Sequence, residues 1–344
     1  METPTAVLWL QPEHTDIARA LIVADIVSVI AAGSPDATNT ATVASSLDVP
    51  PATDLRDTLN THNPAVLLML AADDFGSDPS GSDTSLLSTA CKSGTKILSI
   101  EPLPASAVEY SSSGWKKLRD ACPDTPMPLQ VGRFQNGGAW KQSAEARQLF
   151  GELGAVAIEV SGPRIAGTAG ARLADAIDIA TAMLGEPESV TAAAIAPASP
   201  AGIRPLPGDS LRNIQGEITA HLRFAEGRSA NIVVSDHAQQ PMRRLSAFGP
   251  NGKLTLVEDA TTSSMHWLQN ENTPADESRF QRNPTSIAAA TFIVEDLARL
   301  IKTSQPKLPI TDPYLVLTIA QACLLSMRTG QSESPATVRR MLGV

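Results

Sequence analysis

Between the first strand and the first helix expected in this chain lie Gln11-Pro12-Glu13-His14-Thr15-Asp16. In an α/β fold this is the place where phosphate is bound. A G-x-G-x-x-G turn does so because glycine allows a tight bend and lets a pyrophosphate approach the backbone at a helix N-terminus. Here the first glycine of the chain is Gly33. Glu13 and Asp16 instead bring carboxylates to the helix start, where they can take up its unpaired N–H groups and repel an incoming phosphate. Metal chemistry has little footing either, since His14, His62, His221, His237 and His266 are scattered without ligand-pair spacing. Cys91, Cys122 and Cys323 form no C-x-x-C and read as reduced thiols of a cytoplasmic protein.

The elements that must position such residues follow from periodicity. The chain has 344 residues, 42% of them hydrophobic, enough for two domains with their own cores. Its 27 Lys and Arg against 36 Asp and Glu give a net charge of −9. The cations form no block, so nucleic acid is not an expected partner. No apolar run approaches the roughly 20 residues of a membrane span, and no basic region precedes an apolar run as in a signal peptide.

Strands are expected at Thr5–Leu10, Asp25–Ala32, Ala65–Ala72 and Lys96–Ile100, alternating with helices at Thr15–Val23, Ala41–Leu47, Asp54–Asn60, Leu86–Cys91 and Trp115–Ala121. That alternation predicts a parallel sheet with crossover helices. A domain transition is placed near Pro123–Pro128, after which Leu129–Phe134 opens an α+β region. A strand at Ala155–Val160 and a helix at Leu173–Leu184 come next. Strand-like runs then follow from Gly216 to Asp259, with Asn251-Gly252 as a hairpin signal. Pro200–Pro207 reads as a surface loop, and Ile287–Ile301 and Leu315–Met327 as closing helices.

Four segments in this order carry a resemblance: Leu87–Pro104, Asp178–Ala192, Leu245–Leu256 and Phe292–Gln331. Together they resemble the glucose–fructose oxidoreductase / inositol dehydrogenase (Gfo/Idh/MocA) family over nearly the whole chain. The resemblance implies an α/β protein: a Rossmann-like doubly wound parallel sheet at 1–124, then an α/β domain at 125–344 with an open, largely antiparallel sheet. In that second domain the last helices are free to pack back on the first. It also implies NAD(P)-dependent oxidation or reduction of a sugar, cyclitol or related alcohol, and a dimer through the open sheet.

The family's functional positions map unevenly onto this sequence. Gln11 and Pro12 stand at the phosphate turn. The family's E-K-P is matched by Glu101, but Pro102 takes the lysine position, and proline has no ionisable group and no N–H. The family's H-x-x-D is matched by Asp178, with Asp175 in the histidine position. A carboxylate with an ordinary pKa near about 3.9 is poorly suited to removing an alcohol proton at neutral pH. Asp175 and Asp178 read either as catalytic positions retaining a ligand contact or as polar residues on the exposed start of a helix. After the second strand the ribose acid is missing, with Asp36 slightly late. The loop Asp73–Asp83, bearing Asp73, Asp74, Asp78 and Asp83, reads as solvated and flexible. Arg133, Lys141, Arg164 and Arg172 either line a cleft for an anionic or hydroxylated ligand or form structural salt bridges. Trp140, Tyr110 and Trp267 offer a stacking surface or belong to the core.

Two functional readings follow. In the first, the family architecture persists without efficient nicotinamide-dependent catalysis and without a bound dinucleotide. Such a protein retains a role in binding a hydroxylated or sugar-like ligand or a partner. In the second, the protein is an active NAD(P)-dependent oxidoreductase with a divergent phosphate loop, using Asp175 or Tyr110 as proton relay.

Overall fold

A computed structural model describes residues 3–78, 80–122, 128–195, 210–268, 274–282, 285, 287–302 and 311–342. The expected Pro200–Pro207 loop and most of the Pro123–Pro128 transition lie outside these residues. The chain divides into two compact units, Met1–Gly132 with Thr285–Leu308, and Arg133–Pro284 with Pro309–Val344.

The first unit is built on five parallel strands: β1 (Thr5–Trp9), β2 (Ser28–Gly33), β3 (Val66–Met69), β4 (Lys96–Ser99) and β5 (Leu129–Gln130). Their spatial order is β2-β1-β3-β4-β5. Every residue of β3 is buried, as expected for a central parallel strand covered on both faces. The crossovers are α1 (Thr15–Val23), α2 (Thr40–Ser46), α3 (Leu55–His62), α4 (Ser82–Lys92), α5 (Ala107–Ser111) and α6 (Ser113–Ala121). Leu129-Gln130 pairs with Leu98-Ser99 and so completes the parallel sheet instead of opening a second region. Two residues are too few to show by their own pattern which sheet they join. Gly33 ends β2 where a Cβ would sit 2.5 Å from the Ala52 carbonyl oxygen and 2.5 Å from the Trp9 ring. The first glycine of the chain therefore serves close packing.

The second unit carries α7 (Gly138–Gln142), α8 (Ala144–Phe150), β6 (Ala155–Pro163), α9 (Ala169–Leu184), β7 (Ser189–Ile195), β8 (Glu217–Arg223) and β9 (Ser229–Ser235). β10 (His237–Gly249), β11 (Gly252–Asp259), β12 (Thr262–Leu268) and β13 (Pro274–Gln281) complete its sheet. The order is β13-β12-β11-β10-β6-β9-β8-β7, antiparallel except for the β6–β9 pair. Burial alternates along β6, β8 and β9, the pattern of a sheet covered on one face and open on the other. α9 packs on β6 and β9 and against a later helix, α11 (Pro313–Thr329), which also covers β7. That double packing explains why α9 is buried nearly all round. Between β10 and β11 the turn is Pro250-Asn251, closed by a Gly249–Gly252 pair, so Gly252 lies one residue past the expected turn.

Of the remaining helices, α10 (Thr291–Lys302) belongs to the first unit, while α11 and α12 (Pro335–Met341) belong to the second. In the first unit Lys96 donates from Nζ to the carbonyl oxygens of Leu300 and Ile301 at the end of α10, and burial lowers its pKa. Among the described residues no helix is long and apolar enough to cross a membrane.

Candidate functional site

The strand order reverses between β1 and β3, the topological switch point outside whose carboxyl ends open α/β sheets bind ligands. Gln11 stands at that point. β1 passes through Leu10, whose N–H donates to the Gly33 carbonyl, and Gln11 leads into a single 3-10 turn at Pro12–His14. The turn closes through His14 N–H to the Gln11 carbonyl at 3.0 Å, and Pro12 removes one of the donors a phosphate would need. Neither this turn nor α1 carries a side-chain cap. The expected capping by Glu13 and Asp16 is thus not found: Glu13 is exposed, and Asp16 pairs with Arg19 at 3.2 Å.

The Gln11 amide ties the ends of three strands together. Its Nε2 donates to Asp73 Oδ2 at 2.9 Å across the switch point. Its Oε1 accepts from Ser34 Oγ at 3.1 Å and from Asn39 Nδ2 at 3.1 Å, both beyond β2. Asp73 adopts a left-handed backbone with φ 42°, a conformation that Asp and Asn tolerate better than most other non-glycine residues. Ser34, Asn39 and Asp73 went unnoticed in the sequence as partners of Gln11, because bonds between loops distant in sequence leave no local pattern. At this rim the Asp73 carboxylate lies against the Gln11 amide.

Asp36 has a local structural role. It caps the turn Ala37–Asn39, accepting from Thr38 Oγ1 at 2.7 Å and Thr38 N at 2.9 Å, with Asn39 Nδ2 at 3.3 Å. The Thr38 hydroxyl and backbone bonds hold its pKa below the usual carboxylate value. A depressed carboxylate stabilises the fold above its unfolded pKa, and the contribution is lost as pH falls through the folded value. Two-dimensional NMR is therefore expected to show Asp36 titrating below about 3.9, with the Thr38 amide shift following the same curve. Titration at or above that value would contradict the capping role.

The acidic loop after β3 is folded rather than simply solvated. Gly76 N–H donates to Asp83 Oδ2 at 2.8 Å, Ser80 N–H to Asp78 Oδ1 at 2.8 Å, and the buried Trp115 indole N–H to the Gly76 carbonyl at 3.0 Å. Beyond β4, Glu101 and Pro102 are buried, and Glu101 N–H donates to Ser99 Oγ at 3.1 Å. Tyr110 lies beneath the Arg119 guanidinium, 3.9 Å from the ring centroid.

In the second unit Asp175 and Asp178 are 3% and 1% exposed, well inside α9, and so do not lie on an exposed helix start. Both carboxylates are engaged by Arg133: its Nε is 3.7 Å from Asp175 Oδ1, and its Nη2 contacts Asp178 Oδ2. Asp175 also accepts from the Phe134 N–H with both oxygens, at 2.9 and 3.1 Å. Arg172 is buried and donates to the carbonyl oxygens of Gly167 and Pro163. Lys141 is exposed on α7. Trp140 packs against Phe134 with ring centroids 6.4 Å apart, under the Arg147 guanidinium at 3.7 Å, and Trp267 packs against Phe150 at 6.2 Å. Among the described residues no group of three His, Cys, Asp or Glu side chains could hold a metal ion.

The two sheets and their connections form a Gfo/Idh-like fold, shared with solved inositol dehydrogenases. A myo-inositol dehydrogenase from Corynebacterium glutamicum matches with a TM-score of 0.61 at 20% identity, over 96% of this chain and 98% of that one. Myo-inositol 2-dehydrogenase from Lactobacillus plantarum gives 0.65 at 17% identity, over 96% and 99%. An oxidoreductase from Agrobacterium radiobacter, solved with NAD+, L-tartaric acid and magnesium, gives 0.66 at 13% identity over 98% and 99%. No family model matches the chain, and no curated protein matches it by sequence.

Proposed function

We propose that this protein keeps the Gfo/Idh/MocA fold without efficient nicotinamide-dependent hydride transfer, and serves instead to bind a hydroxylated or sugar-like ligand or a partner protein. The observation that carries this reading is the Gln11 bridge. At the switch point, the amide of Gln11 is already bonded to Asp73, Ser34 and Asn39. A dinucleotide pyrophosphate fits this set poorly, because it would meet the Asp73 carboxylate and an amide already bonded to three side chains where it needs free N–H groups. The second unit supports the same reading. Asp175, in the position of the family's histidine, is committed to Arg133 and the Phe134 amide.

A positioned general acid or base is worth about 10²–10⁴ in rate. With both the lysine and the histidine positions changed, turnover should therefore be very low. The partner surface in this reading is the open face of the eight-stranded sheet, where Val233, Phe248 and Leu268 are exposed, and a second copy of the chain is the expected occupant. The catalytic claim is tested by incubating the full chain with NAD+ or NADP+ and a panel of polyols, sugars and sugar acids. Nicotinamide absorbance is expected to stay at the enzyme-free rate. Saturable turnover with any member of the panel would establish the active-oxidoreductase reading instead.

A further inference from the structure

We propose that the Gln11 amide is a clasp that holds the loops after β1, β2 and β3 together at the switch point, and that loss of this one side chain releases them. Backbone pairing at this edge of the sheet ends early: Leu10 N–H donates to the Gly33 carbonyl, and the Leu70 and Ala71 N–H groups donate to the Trp9 carbonyl. Past those pairs the Gln11 side chain joins the three loops through its bonds to Asp73 Oδ2, Ser34 Oγ and Asn39 Nδ2. The partners lie 62, 23 and 28 residues away along the chain. Each outer loop is also folded on itself. Beyond β2, Asp36 caps the turn Ala37–Asn39, and Ser34 N–H donates to Thr40 Oγ1 at 3.3 Å. Beyond β3, Phe75 N–H donates to the Ala72 carbonyl at 2.8 Å, and Gly76 N–H to Asp83. One amide thus bridges two locally closed turns.

The amide has two halves that act separately. Its Oε1 accepts from Ser34 and Asn39, which fills both lone pairs, whereas Nε2 donates to a carboxylate, the stronger kind of bond. Turned over, it would set Nε2 against the Asn39 Nδ2 donor and Oε1 against the Asp73 carboxylate, so the partners fix its orientation. Anything that enters between the loops has to break these bonds first. The clasp therefore deepens the reading of the switch point given above, and rests on it in taking the crevice as closed without a dinucleotide.

The test is hydrogen exchange of the full chain without nucleotide, read by mass spectrometry on peptides covering 34–40 and 71–77. Gln11→Ala is expected to speed exchange in both segments about tenfold, roughly the worth of one such bond at each loop, with β3 unchanged. Gln11→Glu keeps acceptors for Ser34 and Asn39 but sets a second carboxylate against Asp73, so only 71–77 is released. Asp73→Ala releases the same segment. Asp73→Asn retains an acceptor for Nε2 and tolerates the left-handed backbone, so it keeps wild-type exchange. Wild-type exchange in both segments of Gln11→Ala would overturn the clasp. So would equal release of the two segments in Gln11→Glu, or acceleration spread over the whole first unit. Binding of NADH by the wild-type chain is a separate failure, which would end the reading of the site as closed and is measured in a different experiment.

Discussion

Replacing Arg133 by methionine is expected to destabilise the second unit by about 3 kcal/mol, measured as a lower urea midpoint. The substitution leaves Asp175 and Asp178, 3% and 1% exposed, without the guanidinium that engages both. Removing one partner of a buried ion pair costs about 3–5 kcal/mol, because an uncompensated charge remains. The Arg133 side chain is 18% exposed, so water screens part of the loss and the lower end applies. Adding Asp175→Asn and Asp178→Asn should recover much of the stability, since exchanging a whole buried ionic group for neutral residues is often close to neutral. If Arg133 were mainly a ligand anchor, the single variant would keep its midpoint and lose ligand affinity alone.

An effect of the upper size, about 5 kcal/mol, is expected for Glu258→Ala. The Glu258 side chain is 0% exposed, with Arg282 Nη2 at 3.0 Å and Arg243 Nη1 at 3.5 Å, both cations also buried. It accepts from the Ala139 N–H at 2.7 Å as well, fastening α7 to β11. Truncation therefore removes the carboxylate between two buried guanidiniums and strips a buried N–H of its acceptor. The check is again the denaturant midpoint, with far-ultraviolet circular dichroism to confirm that the variant folds. A loss below about 1 kcal/mol, the ordinary value of a surface pair, would refute the account of this cluster.

The legible parts of the fold were those with strong local pattern. The apolar run Ala65–Ala72 marks β3, and the βα alternation before it predicts the parallel sheet that is found. In the second unit the alternating β8 and β9 were also apparent. β12 and β13 were not read as strands. Thr262–Leu268 mixes hydroxyl residues and histidine into its alternation, and β13 opens on a proline, which suits an edge strand and weakens the signal.

At the candidate site, residue identities were legible while their partners were not. The loss of glycines around Gln11 is plain in the sequence, yet its bond to Asp73 spans 62 residues. Likewise the sequence left Asp175 and Asp178 open between a ligand contact and an exposed helix start, because the cation that engages them lies in another segment; the Phe134–Asp175 bond spans 41 residues. Buried charge is visible only once the fold has brought its counter-charge alongside.

On the proposed reading, the switch point filled by Gln11 and Asp73 does not accept a dinucleotide. Titration of the full chain with NADH and NADPH, followed by nicotinamide fluorescence, tests it most directly. The expected result is no saturable enhancement with either cofactor and no change in melting temperature. Saturation in the micromolar range, accompanied by a ligand-dependent rise in melting temperature, would contradict the claim.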